Sequence, residues 1–157
     1  MNGKRWNGKG YDIYGNIDFE IKDGNGKIKE YYNNDCDKLK YEGEYLNGER
    51  NGKGKEYYDN RKLEYLGGYL NGKRNRKGKE YYANGELEYE GEYLNGERNG
   101  KGKEYNYSNG ELEFEGLYLN GKKWNGKGKE FNYNGKLKFE GEYIEYLNGK
   151  RKWKERK

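Results

Sequence analysis

Apolar and charged residues alternate along short stretches of this chain, and residues 87–94 show the pattern most clearly. One set of alternate positions there holds Leu87, Tyr89, Gly91 and Tyr93, and glutamates hold the positions between them. Successive side chains of a β-strand point to opposite faces of a sheet. The alternation therefore predicts a strand with one apolar face and one charged face.

Asn-Gly pairs follow this predicted strand at three places. They are Asn95-Gly96, Asn99-Gly100 and Asn109-Gly110. Asparagine and glycine tolerate the positive φ angles of tight hairpin turns, so each pair predicts a turn. The lysine-rich segment 101–105 returns between two of them. We therefore expect antiparallel hairpins in which outgoing glutamates pair with returning lysines across the solvated face.

A five-residue box with the form aromatic-x-Gly-x-Tyr recurs along the chain. Its copies begin 24, 24, 25 and 25 residues apart, at Tyr41, Tyr65, Tyr89, Phe114 and Phe139. This spacing gives four regular units, 41–64, 65–88, 89–113 and 114–138. Residues 1–40 form an atypical start and residues 139–157 a partial last unit, as expected of the caps of a repeat array. Since a lone hairpin cannot bury its aromatic face, we predict one continuous stack of hairpins.

Glycine occupies the centre of every box, at Gly43, Gly67, Gly91, Gly116 and Gly141. A side chain at that position would hold neighbouring rings apart. We therefore expect the aromatic rings of one hairpin to pack against the backbone of the next hairpin.

Tyrosine has to build the core of this protein. Leu, Ile, Val and Phe together make only 21 of the 157 residues, whereas the chain has 20 Tyr and 3 Trp. A large aromatic side chain can bury about 150–250 Å². The 27 glycines and the absence of proline favour twisted, closely packed strands.

The spacing within one unit resembles the MORN repeat, and the resemblance covers essentially the whole chain. It is carried by Tyr89, Gly91, Tyr93, Gly96, Arg98, Gly100 and Gly102. The same region also resembles the bacterial YwqK-like variant of the repeat. The resemblance implies an all-β fold, an elongated single-layer antiparallel sheet of tandem β-hairpins, twisted, with an open groove lined by aromatic residues. The candidate partner groove consists of Tyr41, Tyr45, Tyr65, Tyr69, Tyr89, Tyr93, Phe114, Tyr118, Phe139 and Tyr143.

Catalytic and metal-binding chemistry is poorly represented. The chain has no histidine, one serine (Ser108) and one cysteine (Cys36), so no nucleophile has an imidazole to activate it. The oxygen-rich run 33–37 lacks the rest of a calcium loop, and we interpret it as a polar turn. We predict no enzyme activity, no cofactor and no metal site.

A single cysteine cannot form an internal disulfide, which fits a reducing compartment. The N-terminal residues lack the apolar core of a signal peptide, and no stretch is long and apolar enough to span a membrane. We therefore expect a cytoplasmic protein, with association to the cytoskeleton or to a membrane as an open alternative.

Basic residues accumulate at the C-terminal end, where 114–157 carries a net charge of +6 against +5 for the whole chain. The candidate anionic-lipid patch consists of Lys150, Arg151, Lys152, Lys154, Arg156 and Lys157. This end either discourages end-to-end stacking of sheets or binds anionic headgroups. Trp6, Trp124 and Trp153, in irregular copies, either cap the array or present hot spots to a partner.

The leading functional hypothesis is a protein–protein scaffold that captures a peptide or helix in the aromatic groove. Binding of phosphoinositides or acidic membranes through the basic end is the alternative, and recognition of carbohydrate or choline is a weaker one. Open sheet edges favour homodimers through edge pairing. Interleaving of glutamates with the basic residues argues against nucleic-acid binding.

Overall fold

The structure, a computed structural model, describes residues 7–12, 14–32, 38–145 and 151–154, with side chains except at 143–145 and 151–154. These residues form one antiparallel sheet of thirteen strands in chain order. The prediction of an all-β sheet of tandem hairpins is confirmed. None of the described residues belongs to a helix with the length and apolar character that a membrane crossing requires.

The strands are β1 (Gly8–Tyr11), β2 (Ile17–Lys22), β3 (Asn25–Tyr31), β4 (Leu39–Leu46), β5 (Glu49–Tyr57), β6 (Leu63–Leu70), β7 (Lys73–Tyr81), β8 (Leu87–Leu94), β9 (Glu97–Tyr105), β10 (Leu112–Leu119), β11 (Lys122–Phe131), β12 (Leu137–Glu145) and β13 (Arg151–Lys154).

Asn-Gly turns close the hairpins within the units. Between β8 and β9, Asn95 has φ 53° and Gly96 has φ 95°, as the mirror-image turn of a two-residue hairpin requires. The turn predicted at Gly110 is also present, with φ 67°. The prediction for Asn99-Gly100 was wrong, because this pair lies inside β9. It forms a bulge there, in which three residues of β9 face one residue of β8.

The first tyrosine of each box covers a pair of glycines. Gly91 on β8 faces Gly102 on β9, and a Cβ on either would lie 2.3 Å from the hydroxyl oxygen of Tyr89. That hydroxyl donates a hydrogen bond to the carbonyl of Glu92, at 3.2 Å. The ring therefore packs on the backbone of its own hairpin, which corrects the expectation that it would lie on the next one. Because the acceptor lies three residues further along the same strand, the ring leans forward over its own strand.

The second tyrosine of each box joins one unit to the next. The ring of Tyr93 lies 5.4 Å from that of Tyr89 and 5.3 Å from that of Tyr65, nearly perpendicular to both. Edge-to-face pairs of this kind stabilise beyond the area that they bury. The contact repeats along the array, so that the core is one row of rings: Tyr41, Tyr65, Tyr69, Tyr89, Tyr93, Phe114 and Tyr118.

Candidate functional site

The two faces of the sheet differ in chemistry. Register partners share a face, and on one face Tyr89 lies between Glu80 and Glu104. We call this the tyrosine face. On the other, Glu90 lies between Lys79 and Lys103, and we call it the lysine–glutamate face.

A ladder of ion pairs covers the tyrosine face. Arg98 donates from Nε to Glu80 at 2.7 Å, from Nη1 to Glu104 at 3.0 Å and from Nη2 to Glu88 at 2.5 Å. Equivalent pairs surround Arg50 and Arg74, and Lys123 takes the place of the arginine in the next unit. Because each shared glutamate bridges two cations, the ladder is continuous. It runs through Glu30, Arg50, Glu56, Arg74, Glu80, Arg98, Glu104 and Lys123.

The guanidinium groups also lie on the tyrosine rings. The central carbon of Arg50 is 4.0 Å from the ring centroid of Tyr41, and that of Arg98 is 4.4 Å from the centroid of Tyr89. Burial by itself would lower the pKa of Arg98, but the carboxylates of Glu80 and Glu88 outweigh it and raise that pKa. The arginines therefore remain charged and hold both the rings and the carboxylates in place.

Most of the residues predicted to line an aromatic groove are buried. Tyr45 is half-buried and donates a hydrogen bond to Glu30, Phe139 is half-buried, and the side chain of Tyr143 lies outside the described part. The other seven are the buried rings of the core. Cations of the chain lie over four of these rings, those of Tyr41, Tyr65, Tyr89 and Phe114. Burial of the seven rings corrects the interpretation of an open aromatic groove and leaves them no exposed face for choline or a sugar.

An open trough lies on the opposite, lysine–glutamate face. Its volume is about 930 Å³, and it runs across the strands from β6 to β10. The backbone of four glycines forms its floor: Gly78, Gly91, Gly102 and Gly116. With strands about 4.8 Å apart, four spacings give a length of about 19 Å.

Two rows of side chains form the walls of the trough. Lys79 and Lys103 stand in one wall, Lys77 and Lys101 in the other. Lys79 pairs with Glu90 at 3.1 Å and Lys103 with Glu115 at 3.5 Å, and these pairs join neighbouring units. The predicted pairing within a hairpin is confirmed for β4 and β5, where Lys55 pairs with Glu42 at 2.8 Å. The trough begins at Leu66 on β6 and ends at Leu117 on β10, where these two leucines line its walls.

Sequence reasoning missed both the arginine ladder and the trough. The ladder had a signal in the sequence, because Arg50, Arg74 and Arg98 recur every 24 residues and each has a glutamate six residues later. The trough had a weaker signal in the sequence, because Leu66 and Leu117 replace glutamates that other copies of the box carry.

Several predicted features lie outside the described residues. They include Trp6, the run 33–37, Lys150, Arg156 and Lys157. The backbone of Arg151, Lys152 and Lys154 forms part of β13, without described side chains. Trp124 is 43% exposed on β11. Within the described part of the chain, no three His, Cys, Asp or Glu side chains form a group suited to a metal ion.

Comparison with known families gives one match. Residues 41–61, 65–86 and 89–111 match the model of the MORN repeat. These segments begin at three consecutive boxes and hold most of the trough and the ladder. No curated protein matches the chain.

Proposed function

We propose that this chain, a MORN-repeat protein with consecutive repeats over residues 41–111, is a non-enzymatic scaffold that holds a protein partner in the trough of its lysine–glutamate face. MORN repeats generally take part in protein or membrane-lipid interactions, and proteins built from them are generally binding modules without enzyme activity. The proposal selects the first of these interactions and assigns it a surface.

The shape of the trough is the observation that carries the proposal. A floor of glycine backbone lies between two walls of lysine and glutamate side chains, so the trough forms an open channel across the strands. An extended chain rises about 3.3 Å per residue, so a trough about 19 Å long holds about six residues. Lysines and glutamates along both walls offer charge-assisted hydrogen bonds, and Leu66 and Leu117 offer apolar contacts at the ends.

The tyrosine face supports the trough from behind. Its rings pack on the glycines whose backbone forms the floor, since Tyr89 lies against Gly91 and Gly102. Its ion ladder fixes neighbouring hairpins to one another. A rigid surface binds with little loss of conformational entropy, which favours affinity.

Site-specific photo-crosslinking tests this proposal. Benzoylphenylalanine in place of Lys101, an exposed trough residue, is expected to give discrete protein adducts in cells. The same group in place of Tyr133, which is 94% exposed on a loop outside the trough, serves as the matched control. Equal adducts from both positions would overturn the proposal.

Membrane binding is the competing outcome of the same experiment. Lipid adducts without protein adducts at position 101 would contradict a protein scaffold. Binding to phosphatidylserine vesicles that is lost at high salt and on removal of residues 149–157 would then assign the function to the basic C-terminal end.

A further inference from the structure

The wall of the trough has an alternating charge pattern with one interruption. Across the strands, Lys103 stands between Glu90 and Glu115. Lys79 stands between Glu90 and Leu66 instead. Leucine occupies the second position of this box, where the neighbouring boxes have glutamate. One negative charge is therefore missing from the wall at β6.

The fourth position of the same box also lacks the glutamate of the neighbouring boxes, so a second negative charge is missing. Glu92, in the next unit, accepts a hydrogen bond from the backbone N–H of Lys101 at 3.0 Å, and Gly100 makes room for its carboxylate. Unit 65–88 has Gly68 in place of that glutamate and Arg76 in place of that glycine. Arg76 is the register partner of Tyr93, but the bulge turns its side chain towards the lysine–glutamate face, where its Cβ would lie 3.4 Å from a Cβ on Gly68. Together with Leu66, these changes make the lysine–glutamate face more positive by three charges than the regular pattern.

Three of the cations exposed by these changes lack an ionic partner in the described part of the chain. Among the residues that the structure describes, Lys53, Arg76 and Lys77 form no ion pair. Lys55 and Lys79 lie on either side of Leu66. Among the described residues, Lys55 pairs only with Glu42, and Lys79 pairs only with Glu90. Leu66 itself is 39% exposed. An apolar centre is thus surrounded by cations.

Arg76 is also strained. Its φ is 65°, whereas glycine holds the corresponding positions, Gly52 and Gly100, at φ 87° and 85°. A side chain with a Cβ adopts this conformation at a cost in free energy. A strained residue that finds no ionic partner in its own fold is the kind of outlier that points to a ligand.

We propose that this surface, formed by Lys53, Lys55, Leu66, Arg76, Lys77 and Lys79, anchors an acidic, extended protein segment with an apolar residue against Leu66. This deepens the scaffold function above and rests on it. We commit to a chain as the occupant, because Leu66, Lys77 and Lys79 line the end of a trough whose volume of about 930 Å³ suits an extended segment. Charge complementarity makes the chain acidic.

The test uses a fluorescein-labelled peptide of sequence EELEELEE and fluorescence anisotropy at fixed ionic strength. The variant is Leu66→Glu with Arg76→Gly, which restores residues that the neighbouring units carry at these positions. It lowers the net charge by two, because it adds one negative charge at position 66 and removes one positive charge at position 76. Lys73→Glu is the matched control, because it makes the same charge change at a hairpin turn of the same unit, where Glu49 and Glu97 stand in the neighbouring units.

We expect the double variant to bind the peptide at least about tenfold more weakly than wild type, a loss large enough to exceed long-range charge effects. Lys73→Glu is expected to bind within about twofold of wild type. Hydrogen exchange should show the double variant folded and at least as protected as wild type, since glycine relieves the positive φ at position 76.

Three results would overturn the anchor site. They are unchanged peptide binding by the double variant, an equal loss with Lys73→Glu, and equal binding of the lysine analogue KKLKKLKK. Preferential binding of phosphatidylserine vesicles, reduced by the double variant, would assign the surface to a membrane instead. If protein adducts at position 101 persist in any of these cases, the scaffold function stands and only the anchor fails.

Discussion

The guanidinium of Arg74 lies over the ring of Tyr65, with its central carbon 4.4 Å from the ring centroid. The same group pairs with Glu56, Glu64 and Glu80, which belong to three different strands or strand ends. One side chain therefore closes the aromatic core and joins the ion ladder. This relationship covers the tyrosine face, and for that reason we assign the proposed binding to the opposite face.

Loss of the guanidinium should cost more than its replacement by an ammonium. Arg74→Ala leaves three carboxylates without their shared cation, and we expect it to lower the free energy of unfolding by about 3–5 kcal/mol. Arg74→Lys should lose less than half of that, because Lys123 performs the role in its own unit. Urea denaturation monitored by tyrosine fluorescence measures both. Equal losses would contradict this expectation, because they would show that an ammonium cannot replace the planar guanidinium at this position.

The glycine under the tyrosine ring should not tolerate a methyl group. A Cβ at Gly91 would lie 2.3 Å from the Tyr89 hydroxyl and 2.6 Å from the carbonyl oxygen of Lys101. We expect Gly91→Ala to destabilise by at least about 2–3 kcal/mol, because backbone as well as ring has to move.

Gly110→Ala is the control for this substitution. Gly110 has φ 67° and nothing within 4 Å of an added Cβ, so only conformational strain of about 1–2 kcal/mol applies. Thermal unfolding of the two variants separates the clash from the strain. A smaller loss at Gly91 than at Gly110 would contradict the packing described for the ring.

Two equivalent hydroxyl groups should respond differently to removal. The hydroxyl of Tyr118 donates to Glu104 at 3.0 Å, whereas that of Tyr93 is buried without a hydrogen-bond partner among the described residues. Tyr118→Phe should therefore cost about 1 kcal/mol or more, and Tyr93→Phe should be neutral within about 0.5 kcal/mol or stabilising. Denaturation midpoints compare them. A larger loss for Tyr93→Phe would mean that its hydroxyl has a partner.

Stability should fall steeply in alkali. Burial, then hydrogen bonding to the Glu30 carboxylate, raises the pKa of Tyr45 to about 12, and burial raises that of Tyr89 further. An unfolded tyrosine ionises near pH 10. The unfolded state therefore loses protons first, so this stability is complete below about pH 10 and disappears as pH rises through the folded pKa.

Titration of the tyrosinate absorbance checks that expectation. Each buried tyrosine contributes up to about 1.4 kcal/mol per pH unit in this range. Several acting together should give one cooperative step that coincides with the loss of β-sheet circular dichroism. Independent titration of all tyrosines near pH 10 with the sheet intact would refute the buried row of rings.

Local features of the sequence predicted the strands and the turns. The alternation from Leu87 to Leu94 predicted β8 with the bounds that the structure has, and Asn95-Gly96 predicted the turn that follows it. Asn99-Gly100 has the same residue types as that turn but lies in a bulge. Which of two identical pairs closes a hairpin depends on the strand opposite, and the sequence of one segment does not contain that information.

The role of Arg98 could not be predicted for the same reason. The bulge places Arg98 opposite Tyr93, where an unbroken ladder from Gly102 would place Gly100. This shift brings the guanidinium over Tyr89 and between Glu80 and Glu104. Glu80 lies 18 residues before Arg98 and Glu104 lies 6 residues after it. The contacts of the guanidinium with both carboxylates therefore exist only when the three strands β7, β8 and β9 are aligned.

The sequence by itself determined the period, the hairpins and the tyrosine core, because alternation, Asn-Gly turns and box glycines act over a few residues. Only the tertiary structure decided which face is covered and which is open. Burial of a ring depends on groups that neighbouring strands bring to it, and here these are arginines and glutamates from adjoining units. They close the tyrosine face, and the glycine-floored trough between the lysine and glutamate rows remains open on the other.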